Sequence, residues 1–170
     1  MKEVIVLIGN YGSGKTELAL NFAFQAARAG KKVELIDLDM VNTYFRLKVL
    51  NVVNTRRPMA GTPEKLISLM EGMERHSRQK VSGFVNNTNL ARMACPEDLR
   101  DGYEVIREAS IRSGVPVLYT TGRPDLLEGF LREGHDPAYI GTPMPIETFM
   151  HRDWETFTKA VSYTHLRAHE

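Results

Sequence analysis

Cysteine is nearly absent from this 170-residue chain, and the lone Cys95 excludes an internal disulfide and any cysteine-based metal cluster. Neither sign of charge dominates. Lys and Arg number 22 against 21 Asp and Glu, a net +1 that offers no field for bulk nucleic acid or an anionic membrane. No run of about eighteen apolar residues is present, and no signal-type apolar stretch precedes the first strand-like segment, so the expected setting is soluble and cytoplasmic. No His/Cys/Asp spacing suits zinc, no Ser-His pair marks a nucleophile, and there are no internal repeats. His76, among Glu74, Arg75 and Arg78, reads as part of a solvated face, and His151 and Trp154 in HRDWETF support no role.

Against these absences stands Gly9-Asn10-Tyr11-Gly12-Ser13-Gly14-Lys15-Thr16, a full G-x-x-x-x-G-K-S/T loop directly after the apolar run Val4 to Ile8. It predicts a nucleoside triphosphate site. Glycines let the backbone curl so that successive N–H groups converge on phosphates, Lys15 adds a point charge, and Thr16 offers Mg²⁺ a hydroxyl. The helix that follows, with Leu18, Phe22 and Ala26 at helical spacing, adds the positive end of its dipole.

Strand and helix signals alternate along the chain, which predicts an α/β fold with a doubly wound, mostly parallel sheet. A strand at Val4 to Ile8 leads to a helix from about Lys15 to Ala29, then a second strand at Val33 to Asp39 and a third at Val49 to Val53. Thr62-Pro63-Glu64 supplies an N-cap, a first-turn proline and a dipole-matched acid for a helix with Leu66, Met70 and Met73 on one face. Val81 to Val85 and Val115 to Thr120 read as strands, and Pro96 to Ser113 as a helix with Leu99, Tyr103 and Ile106 inward, stopped by Gly114. One connection is too short. Only the nine residues MVNTYFRLK separate Asp39 from Val49, whereas a parallel crossover needs a dozen or so, so the third strand is not a parallel neighbour of the second or a segment is missing.

A triphosphatase of this kind needs a carboxylate at a neighbouring strand end, and Asp37 and Asp39 in IDLD are the candidates. A solvated strand end would use the same residues as turn caps. The asparagines of GFVNNTNL carry both donor and acceptor, which suits the N6 and N7 edge of adenine, or else an Asx-type turn. No N-K-x-D guanine pattern occurs, which favours ATP. Thr121-Gly122-Arg123-Pro124-Asp125 would wall the base or form a plain proline turn.

In GNYGSGKTE, VELIDLDMVNTYFR, VVNTRRPM and GFVNNTNL the chain resembles the CobQ/CobB/MinD/ParA nucleotide-binding family, most closely a bacterial branch of ATP-binding proteins. The resemblance implies a P-loop NTPase fold over most of residues 1–160. It also implies that Asp39, with Asp37 beside it, positions water or metal, and that Asn87, with Asn86 second, meets the base. MinD and ParA relatives carry a lysine after the first loop glycine that reaches across a dimer interface. That position is Asn10 here, so dimer-dependent hydrolysis does not carry over, while a homodimer stays open. Family members have a long segment after YFR with a further acidic switch strand, so this chain reads as lacking at least one strand-helix unit.

The last ten residues, Val161 to Glu170, read VSYTHLRAHE, the translation of a transposon sequencing adapter, and are expected to be a non-native tail. Residues 1–160 then form one nucleotide-binding domain. The expected function is an ATP-binding switch or ATPase with Mg²⁺ held by Thr16 and Asp39, with Lys15, Asp39 and Asp37 as the catalytic groups and with hydrolysis impaired by the missing segment. The partner would be an unknown protein or small molecule. The alternatives are an ATP-dependent ligase or kinase of the dethiobiotin/cobyrinate synthase type acting on a small carboxylate, with Arg56 and Arg57 as clamps, and a nucleotide-responsive module without turnover.

Overall fold

The computed structural model describes residues 4–35, 47–89 and 94–149. Its centre is a five-stranded, all-parallel sheet whose spatial order follows the chain: β1 (Val4–Ile8), β2 (Leu47–Val53), β3 (Gly83–Asn86), β4 (Val117–Gly122) and β5 (Thr142–Pro145). Parallel strands need crossovers, and α1 (Lys15–Arg28), α2 (Pro63–Ser77), α3 (Pro96–Ser113) and α4 (Pro124–Arg132) lie between them in sequence.

Alternation along β2 and β3 sorts the helices onto two faces. Leu50, Val52 and Val85 pack with Leu18 and Phe22 of α1, whereas Val53 and Phe84 pack with Leu66 and Met70 of α2 and Ile106 and Ala109 of α3. Both sides of the central strands are therefore covered, which is why their sequences are apolar apart from Lys48, Asn51 and Asn86. The start of α2 is built as the sequence predicts, and α3 has a cap that the sequence reading lacks. Thr62 accepts from the Lys65 N–H at the head of α2, and the Asp98 carboxylate accepts from the Cys95 N–H at 2.9 Å at the head of α3.

Two expectations change. Val33, Glu34 and Leu35 are irregular and exposed, not the start of a second strand, and the remainder of Val33 to Asp39 lies outside the described residues. The strand expected third, at Val49 to Val53, begins at Leu47 and is the direct parallel neighbour of β1, with Val6 opposite Val49 and Ile8 opposite Asn51. Its backbone satisfies that of β1, and the connection from β1 to it includes all of α1, long enough for a parallel crossover.

The C-terminal part holds elements that the sequence reading lacks. β5 is TPMP, whose two prolines argue against a strand. Among the described residues it pairs only with β4, at the edge, and the Ile146 N–H donates to Gly122 O, so residues of even number face β4 while Pro143 and Pro145 sit where no donor is needed. Beyond it the chain crosses α1. Asn21 donates to the Glu147 carbonyl at 2.9 Å and accepts from the Glu147 N–H at 2.8 Å.

Candidate functional site

The C-terminal ends of β1 to β4 converge on the glycine-rich loop. β1 ends at Ile8, the chain turns through Gly9 to Gly14, and α1 begins at Lys15 with the Leu18 N–H donating to Gly14 O at 2.9 Å. Two glycines are dictated by close approach. A Cβ on Gly9 would stand 2.4 Å from the Val52 carbonyl oxygen, and one on Gly14, at φ 89°, would stand 2.3 Å from the Asn87 amide nitrogen. The loop is thus seated directly on β2 and on the end of β3.

Lys15 turns back into the loop, its ammonium donating to Gly9 O at 3.1 Å and Asn10 O at 2.9 Å. Burial lowers its pKa from the ordinary lysine value, because a desolvated ammonium lacks a counter-charge. An anion in the loop would supply one. Thr16 is exposed on the first turn of α1, Tyr11 is almost wholly exposed, and Ser13 is fully buried with no partner for its hydroxyl. Among the described residues no three His, Cys, Asp or Glu side chains are grouped to hold a metal. Asp37 and Asp39 lie outside the described residues.

The asparagines of VNNTNL are buried, and the structure gives them work inside the protein. Asn87 donates to Ser13 O at 2.8 Å and accepts from the Thr121 hydroxyl at 2.7 Å, so the amide expected at an adenine edge is tied to the loop and to β4. Asn86 Oδ1 accepts from the Thr88 N–H at 3.1 Å, the Asx-type turn that was the other reading of this segment. The Asn86 Nδ2 group is buried and unpaired. Thr121, foreseen only as a wall or turn residue, is the missing partner; its signal is a hydroxyl at the end of an apolar strand.

The two adjacent arginines diverge. Arg56 bonds Asp98 at 2.5 Å and reaches Asp101 at 2.9 Å, and these contacts remove it as a free substrate clamp. Arg57 instead lies on the loop, its Nε–H donating to Gly12 O at 3.1 Å. An apolar groove along α2, lined by Met59, Leu69, Met73 and His76 among others, includes none of the loop residues; His76 is exposed and bonded to Gly72 O.

Residues 4–118, which include this loop, are matched by the family model for the CobQ/CobB/MinD/ParA nucleotide binding domain. The chain belongs to this family. Nucleotide binding of the P-loop NTPase kind is therefore its role at the coarse level. It is also similar to two proteins named tRNA dimethylallyltransferase. One, from Rhodopirellula baltica, is 31% identical over 133 residues, covering 76% of this chain and 34% of that protein. The other, from Polynucleobacter asymbioticus, is 32% identical over 81 residues, covering 48% of this chain and 24% of that protein. The chain thus spans about a third or less of the length of these curated relatives. No solved structure matches. No helix among the described residues is long and apolar enough to cross a membrane.

Proposed function

We propose that this family member binds ATP with Mg²⁺ and works as a nucleotide-dependent switch or slow ATPase. The observation that carries this reading is the loop: its first and last glycines pack against Val52 and Asn87, and the half-buried Lys15 lies among its carbonyls without an anionic partner among the described residues. The loop amides and Lys15 would hold the triphosphate, and Thr16 with Asp39 would hold the metal, which on binding supplies charge neutralisation to the phosphates. Asp39, with Asp37 beside it, would orient water. Adenine rather than guanine is favoured by the missing N-K-x-D pattern.

The ligase or kinase alternative offered Arg56 and Arg57 as clamps, and the commitment of Arg56 to Asp98 and Asp101 leaves it only Arg57. The decisive experiment is Lys15→Ala followed by calorimetry with Mg-ATP. Loss of one charge-assisted phosphate contact is expected to weaken binding about ten- to a hundredfold with the melting temperature little changed. An unchanged dissociation constant would reject the site.

A further inference from the structure

We propose that Arg57 is a phosphate ligand of this site, delivered onto the loop from the connection between β2 and α2. The inference rests on the triphosphate reading above and adds a cation from outside the loop. Its first support is position. Arg57 Nε–H donates to Gly12 O at 3.1 Å, and the guanidinium lies so close over Gly12 that a Cβ there would meet its Cζ at 3.0 Å and its second terminal nitrogen at 3.1 Å. A side chain at Gly12 would push the Arg57 guanidinium aside by a few tenths of an ångström.

The second support is charge. Arg56 is neutralised by Asp98 and Asp101, but Arg57, one residue on, is exposed and makes no ion pair among the described residues. An arginine whose sole polar side-chain partner among the described residues is a carbonyl keeps its remaining N–H donors for an anion, and a planar guanidinium matches phosphate oxygens two at a time. The connection is anchored so as to aim it. Arg57 N–H donates to Asn54 O at 3.1 Å, Asn54 donates to Asn89 O at 2.9 Å, and the Ala60 N–H donates back to Arg57 O at 2.9 Å. With Lys15 inside the loop and Arg57 over it, two cations flank the same short backbone arc. Because Arg57 lies five residues before the Thr62 cap of α2, its attachment to a phosphate would tie the start of that helix to the occupancy of the loop.

The test compares Arg57→Ala, Arg57→Lys and Arg57→Gln by calorimetry with Mg-ATP and with inorganic triphosphate, alongside Lys15→Ala. Arg57→Ala is expected to weaken both ligands about ten- to a hundredfold, with thermal unfolding unchanged because the side chain is exposed. Lysine should recover much of that loss. Glutamine, which retains a donor for Gly12 O but no charge, should not. Unaltered affinity in Arg57→Ala would overturn the assignment, as would a glutamine variant that binds as well as the lysine variant, since either would make the Gly12 contact mere support of the loop. Wild-type protein that binds neither ligand would overturn the nucleotide reading itself, and this assignment with it.

Discussion

At the scale of single residues, the site is organised by side chains that hold the loop as much as by those that would face a ligand. Asn87 is the clearest instance, since one amide serves Ser13 O on the loop and the Thr121 hydroxyl on β4. An amide used to shape the phosphate cradle affects every ligand of that cradle alike. Asn87→Ala is therefore expected to weaken ATP and inorganic triphosphate by the same factor, and to cost about 1–3 kcal/mol of stability because Ser13 O and Thr121 lose a buried partner. Parallel titrations and a denaturant curve check this. A selective loss for ATP would restore Asn87 to the adenine edge.

At the scale of elements, α3 is bound to the site's rim through Asp98. The side chain is only 1% exposed, and burial would push its pKa up, but the Cys95 N–H and the Arg56 guanidinium outweigh that and hold the carboxyl below the ordinary aspartate range. A depressed folded value means that the stabilisation is present above the unfolded value of roughly 3.9, and is lost as pH falls through it toward the folded value. Asp98→Ala is expected to cost about 2–4 kcal/mol, by uncapping α3 and freeing a half-buried guanidinium, and Asp98→Asn should flatten the acid limb of the stability profile. Thermal melts between about pH 3 and 7 decide it. An unchanged profile would show that the pair contributes nothing net.

For the molecule as a whole, the strand beside the loop strand is the feature with most consequence for turnover. β2 neighbours β1 and runs out through Val53 into Asn54, so this strand end delivers an amide where a triphosphatase needs a carboxylate. On the proposed reading the acid is Asp39, with Asp37 beside it. Magnesium-dependent ATP turnover is accordingly expected to be slow, on the order of 10⁻³ s⁻¹ or less, the range of an unassisted P-loop triphosphatase. A phosphate-release assay measures it. Turnover near about 1 s⁻¹ that vanishes in Asp39→Asn would show the site complete as it stands.

The glycine-rich loop between strand and helix was legible in sequence because it is local: eight consecutive residues carry their own pattern and need only a strand before and a helix after. The helices at Pro63–Ser77 and Pro96–Ser113 were legible for the same reason, through caps and a helical repeat of Leu66 and Met70, or Leu99, Tyr103 and Ile106. Strand order was not local. Nothing between Leu47 and Val53 states that it lies against β1; that follows from which backbone edge it satisfies and which helices cover it. β5 was hidden because its prolines are tolerable only at an edge, and only the assembled sheet makes it one. The same holds for the site's tertiary residues. Sequence alone brought Arg56 and Arg57 forward as a pair, and singled out Asn87 for its chemistry. Packing decided that Arg56 would be spent on a buried carboxylate, that Arg57 would lie on Gly12, and that Asn87 would bind Ser13, because each depends on a partner more than forty residues away in the chain.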